Sequence, residues 1–205
     1  MKKLCVRTVR ISSDIGLCCK TNNTEFNHTN WMRKECKMEL WDLYNENREL
    51  TGRDHIRGVE MPQGFYHRLV HIRIRNHNSE YLMSQRSADR PTFPLMWECV
   101  GGSVIKGENS LTGALCETKE EVGLTFSPDE GKLVHSVVRR VVNGVKFADI
   151  LDVWLFDYDG TVSLDQATTK EVAQVVWMTK EEIREQYDTG KLVHTLSYFF
   201  TMEGI

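Results

Sequence analysis

GGSVIKGENSLTGALCETKEEVGL, from Gly101 to Leu124, is the stretch that the rest of the chain serves. It reads as a glycine-rich loop, one helix and a glycine stop. Gly107 leaves the loop, and Asn109 or Ser110 can cap the helix by accepting an otherwise orphaned backbone N–H. Gly123 stands where helices end in the left-handed conformation that glycine adopts at little steric cost. Leu111, Ala114, Leu115, Thr118 and Val122 recur at helical spacing and make the inward stripe. Glu117, Glu120 and Glu121 gather on another face, because residues three and four apart are neighbours on a helix. Like charges so placed repel, and only Lys119 is near in sequence to offset them. Such a cluster calls for a cation, and hard carboxylate oxygens select Mg²⁺, Mn²⁺ or Ca²⁺. A solvated surface helix would explain the charges but not their register with the glycines.

That register is specific. Gly102, five residues, Glu108, seven residues, then Cys116-Glu117-Thr118-Lys119-Glu120-Glu121-Val122-Gly123-Leu124 resembles the Nudix box. The family pattern is glycine, five residues, glutamate, seven residues, then Arg-Glu-aliphatic-x-Glu-Glu-x-Gly-aliphatic. Every glycine and glutamate matches. Cys116 stands where the family has arginine, and Thr118 where it has an aliphatic residue. The arginine is taken to hold the catalytic glutamates, so Cys116 is a supporting position whose change bears on rate.

The resemblance extends over about residues 38–200. Glu39-Leu40-Trp41-Asp42-Leu43-Tyr44, Gly64-Phe65-Tyr66-His67-Arg68, Gln85-Arg86-Ser87 and Pro94-Leu95-Met96-Trp97 look like the Nudix branch that includes isopentenyl diphosphate isomerase and its hydrolase relatives. The isomerases carry a Cys-Gly-His run just after the tryptophan-containing strand. Trp97-Glu98-Cys99-Val100-Gly101-Gly102-Ser103 has no histidine, which favours pyrophosphate hydrolysis over isomerisation.

The resemblance implies an α/β/α sandwich with a mixed β-sheet between helices. It implies Mg²⁺-dependent, or Mn²⁺-dependent, cleavage of the pyrophosphate bond in a nucleoside diphosphate linked to another moiety. Glu117, Glu120 and Glu121 would be metal ligands, joined by a backbone carbonyl at Gly102 or Gly101. Glu108 would support the loop–helix unit. The catalytic set would be Glu117 with a general base, either Glu120 or Glu171, which precedes an aliphatic run ending in Trp177. Arg86 and Arg90 precede the box and are candidate phosphate clamps, since a guanidinium suits bidentate contacts to oxyanions. Phe65 and Tyr66 are candidates for stacking on a base. Trp97, Trp154 and Trp177 sit in strand runs and read as core. Two other readings stand beside this one: an isomerase-like enzyme, and a weakened Nudix module that binds a nucleotide without cleaving it.

Composition sets the frame. The 205 residues fit one domain plus an extension, and a chain of that size buries a core without metal or disulfide staples. Residues 1–37, rich in Asn and Thr, read as a poorly ordered or upstream extension, with Met38 a candidate true start and 38–205 the Nudix domain. A net charge of −3 gives no electrostatic footprint for a nucleic-acid polymer. No apolar run approaches the ~20 residues that span a bilayer. The basic N-terminus lacks an apolar core and makes a poor signal peptide, so a cytoplasmic protein is expected. Its partner would be a small-molecule diphosphate, bound by a monomer or homodimer. The six cysteines lack zinc-site spacing and read as free thiols without a shared role.

Around the box, Glu39 to Asp42 and Tyr44 look like a first strand, Phe65 to Arg75 alternates with period 2, Glu80 to Arg86 returns as a strand, and Val172 to Met178 reads as a further one. Trp97 to Val100 leads into the box. Asn143-Gly144 between two apolar runs predicts a hairpin over Lys132 to Asp157. Thr179-Lys180-Glu181-Glu182 is a capping box that opens a helix. Gly52 to Gly64 reads as a loop, and His194 to Met202 as a final helix.

Overall fold

The structure, a computed structural model, describes residues 39–142 and 144–201. The expected extension at 1–37, the candidate start at Met38 and the first four cysteines lie outside the described residues.

Alternation of apolar and polar residues decides the central strands. In β3 (His67–Arg75), Val70, Ile72 and Ile74 share one core cluster with Leu82, Ala114, Val122 and Phe156. His71 and Arg73 point the other way, toward Tyr198 and Phe199. β4 (Tyr81–Arg86) divides likewise, Leu82 to the first cluster and Tyr81 and Met83 to a second. That second cluster takes in Ile183, Leu196 and Phe199. Each fully buried Val, Ile or Phe contributes about 1.5–3 kcal/mol over its exposed state.

The main sheet has seven strands in the order β5-β4-β3-β8-β7, with β6 also on β3 and β9 also on β4. Here β5 is Trp97–Glu98, β6 Val100–Ser103, β7 Lys132–Val142, β8 Val145–Asp157 and β9 Val172–Met178. β3 and β8 run parallel and the other pairs antiparallel, so the sheet is mixed. Helix α1 (Ser110–Val122) covers one face. Helix α2 (Lys180–Asp188) and a 3₁₀ segment (His194–Phe200) cover the other, closing an α/β/α sandwich. A separate two-stranded sheet pairs β1 (Leu40–Tyr44) with β2 (Leu50–Ile56).

Three expectations change. The run read as a loop from Gly52 contains most of β2, whose polar residues carry no strand pattern and which exists because β1 supplies backbone partners. The strand into the box breaks at Cys99 into β5 and β6, because β5 pairs with β4 and β6 with β3. The final helix is 3₁₀, its apolar residues packed on the sheet rather than arranged along an α-helical stripe. The Asn-Gly hairpin forms where expected, with Val142 opposite Val145 and Gly144 at φ 80°.

Candidate functional site

Strand β6 lays the glycine pair against β3, with Gly101 opposite His71 and Gly102 opposite Val70. A side chain at Gly101 would strike the Val70 carbonyl. One at Gly102 would strike the Glu117 carboxylate, whose Cδ lies 2.5 Å from the position a Cβ would take. The loop that follows is tied to β1: Lys106 N–H donates to the Leu40 carbonyl at 2.8 Å, and Gly107 N–H to Asp42 Oδ2 at 2.7 Å. Glu108 N–H donates to the Ile105 carbonyl at 3.1 Å, closing the turn. Asn109 caps α1, its Oδ1 accepting Thr112 N–H at 2.9 Å. Trp154 Nε1–H donates to Ser110 Oγ at 2.9 Å and anchors the first turn to β8. Gly123, at φ 73°, stops the helix. There the Glu120 carbonyl accepts the N–H groups of Thr168 and Thr169 at 3.0 and 3.1 Å, fastening a later loop to the helix end.

Glu117 and Glu121, one helical turn apart, are 8% and 6% exposed and both reach the glycine pair. Gly101 N–H donates to Glu121 Oε2 at 3.2 Å. Burial, first, and then the charges of Glu117, Glu98 and Glu171 push the Glu121 carboxyl well above its ordinary range, against the Gly101 hydrogen bond. This is a pocket that concentrates negative charge out of water. Glu120 is half-buried and lies roughly 100° around the helix from Glu121. Among the described residues no three His, Cys, Asp or Glu side chains form a ready-made metal cage. A buried carboxylate pair beside a backbone turn still fits Mg²⁺, which keeps several waters and needs one or two carboxylates plus substrate phosphates.

The flanking groups are engaged within the protein. Arg86 Nη1 donates to Glu98 Oε1 at 2.5 Å, and its Nε and Nη2 donate to the carbonyl and hydroxyl of Thr92. Arg90 pairs with Glu171 at 2.6 Å. The structure therefore places both candidate clamps on carboxylates that border the acidic pocket. Glu98 is a charged neighbour of Glu121 that sequence reasoning missed; burial raises its pKa against the opposing charge and hydrogen bond of Arg86. A lone acid in the short strand leading to the glycines was the available signal. Thr118 is fully buried and satisfies its hydroxyl on the Ala114 carbonyl at 2.7 Å. Cys116 is buried and disulfide-bonded, not the free thiol expected. Cys99 is a free buried thiol, pushed up to about 12 first by burial and then by the nearby Glu98 charge.

The NUDIX domain family matches residues 65–196. The chain belongs to the Nudix family. An uncharacterised Nudix hydrolase of Listeria innocua is 35% identical over 164 residues, covering 80% of this chain and 91% of that protein. Among solved structures, the DR0079 protein of Deinococcus radiodurans superposes with a TM-score of 0.61 at 20% identity, over 76% of this chain and 93% of its own. The MutT protein of Methanosarcina mazei gives 0.56 at 24% identity, over 71% and 96%. These likenesses establish the Nudix fold, and the Listeria relative a Nudix hydrolase homologue. No helix among the described residues is long and apolar enough to cross a membrane.

Proposed function

We propose that this Nudix chain is a divalent-cation-dependent diphosphohydrolase that cleaves the pyrophosphate bond of a nucleoside diphosphate linked to another moiety. The observation that carries this reading is the meeting of Glu117 and Glu121 with the Gly101–Gly102 pair. Glu117, Glu120 and Glu121, with the Gly102 carbonyl, would hold Mg²⁺ or Mn²⁺. When bound, such an ion neutralises phosphate charge and acidifies a coordinated water. Glu120 is the general base that takes the proton from attacking water as the bridging P–O bond breaks. Glu171 is the second candidate, and its pairing with Arg90 favours Glu120. Arg86 and Arg90 border the pocket and orient phosphate oxygens. Glu108 and Gly101 hold the loop.

The motifs from Glu39 to Trp97 support a reading toward the branch resembling isopentenyl diphosphate isomerase-like hydrolases. Within that branch, Cys99 is 4% exposed and its thiol stays neutral, which speaks against an acid–base role in isomerisation. The test is a panel of nucleoside diphosphate derivatives and isopentenyl diphosphate, with Mg²⁺ and with chelator. Phosphoanhydride cleavage that needs the metal, and that Glu120→Gln abolishes with metal still bound, is the expected result. Dimethylallyl diphosphate as product, or no turnover across the panel, would overturn it.

A further inference from the structure

Behind the glycine pair, on the face of the sheet away from α1, one hydroxyl touches two elements that carry the site. Tyr198, in the closing 3₁₀ segment, has its hydroxyl 2.7 Å from His71 Nδ1 on β3. The same hydroxyl is hydrogen-bonded to the Cys99 thiol, at the break between β5 and β6. Both partners adjoin the glycines. His71 is the β3 residue opposite Gly101, and a Cβ on Gly101 would lie 3.1 Å from His71 Cδ2. Cys99 stands two residues before Gly101 and is near enough to the acidic pocket to feel the charges of Glu98 and Glu121. From Gly101 the connection passes to the other face, where its N–H donates to Glu121 Oε2 at 3.2 Å.

The chemistry of the three groups suits a fixed bridge. A hydroxyl both donates and accepts, so it serves a histidine nitrogen and a thiol together. Burial keeps all three neutral. It pushes the His71 pKa down to about 3, helped by the charges of Arg139 and Arg73, pushes Cys99 up to about 12, and holds Tyr198 well above the ordinary tyrosine range. The bridge therefore keeps one protonation state around neutral pH. The ring that carries the hydroxyl is itself held. The His135 ring lies parallel to it, centroids 6.0 Å apart and planes 6° off, and the Arg73 guanidinium sits 5.5 Å from its centroid. A buried histidine and a buried thiol that lose this partner have little water to replace it, so the backbone that carries them must shift.

We propose that Tyr198 is a positioning residue for the site: its hydroxyl ties β3 to the β5–β6 break, and so fixes the Gly101 N–H on Glu121 and Gly102 against Glu117. The consequence for metal binding rests on the diphosphohydrolase reading; the consequence for the Gly101 backbone does not. The closing segment, remote in sequence from the box, thereby becomes part of the support for its glycines.

Tyr198→Phe keeps the ring and removes the bridge. In the full chain without metal, the Gly101 amide should change its nitrogen and proton chemical shifts and exchange about tenfold faster. Mn²⁺ titration followed by electron paramagnetic resonance should show about tenfold weaker binding, the low end of what a lost supporting partner costs a metal site. Cys99→Ala, which removes one arm of the bridge, should move the Gly101 amide in the same direction by less. Phe200→Leu is the control, because Phe200 packs on Tyr187 and Arg184 in the same segment without meeting the hydroxyl. It should lower the denaturation midpoint and leave the Gly101 amide and the Mn²⁺ affinity unchanged. An unmoved Gly101 amide in Tyr198→Phe and Cys99→Ala, an unchanged Mn²⁺ affinity in Tyr198→Phe, or equal changes in Phe200→Leu would overturn the proposal. If the unaltered chain binds no Mn²⁺, the diphosphohydrolase reading fails, and the Gly101 amide still decides the role of Tyr198.

Discussion

At the scale of single residues, two adjacent glycines do different work. Gly102 is small because a carboxylate occupies the space beside it, and Gly101 because a backbone carbonyl does. The Glu117 carboxylate is the end of a flexible side chain and can swing away, whereas the Val70 carbonyl belongs to a hydrogen-bonded strand. Gly102→Ala should therefore fold with near-normal stability yet lose about 10–100-fold in metal affinity and activity, as displaced ligand supports do. Thermal melts with and without Mg²⁺ check this: the metal should raise the midpoint of the unaltered protein and not of the variant. Gly101→Ala should instead lose about 1–3 kcal/mol of stability, because β3 and β6 must part to admit the methyl. The clustering of Glu117 with Glu121 was legible from helical spacing, and the glycine pair from the resemblance to the Nudix box. The engagement of Arg86 by Glu98 was not, because the pair joins strands whose adjacency no local pattern encodes.

At the scale of elements, α1 is held at both ends by groups written into its own sequence. Asn109→Ala removes the cap on Thr112 N–H and should cost about 1 kcal/mol in chemical denaturation. Gly123→Ala should cost more. It forces a left-handed alanine, at about 1–2 kcal/mol, and drives the new methyl against Gln166, whose Cβ lies 2.5 Å from the added carbon. It should also free the loop at Thr168 and Thr169, visible as faster amide exchange there. The contrast with β2 and the closing 3₁₀ segment is instructive. α1 carries its caps, stripe and stop locally, so it reads correctly in isolation. β2 has exposed polar residues and depends on β1 for its backbone partners, so nothing local announces it.

At the scale of the whole molecule, the two faces of the sheet differ in chemistry. The α1 face packs an apolar cluster beside the buried Glu117 and Glu121, while the opposite face buries Arg73 and His71, with His71 Nδ1 and the Tyr198 hydroxyl 2.7 Å apart. Burial, and then the charges of Arg139 and Arg73, push the His71 pKa down to about 3. The unfolded chain then takes up this proton first as pH falls. The histidine's contribution to stability is complete above about pH 6.5 and is lost progressively toward pH 3, at up to about 1.4 kcal/mol per pH unit. Denaturation midpoints measured from pH 7 to pH 4 should fall more steeply for the unaltered protein than for His71→Gln; equal slopes would contradict this assignment. The chain by itself determined the box, its helix, the alternating strands and the sandwich they imply, because periodicity, caps and turn residues act between near neighbours. Tertiary structure alone decided that Glu117 and Glu121 converge on the glycine pair, that Glu98 and Glu171 add their charge there, and that Tyr198 meets His71 and Cys99 behind it. Those contacts join residues far apart in sequence, and only the packing of strands on one scaffold brings them within reach.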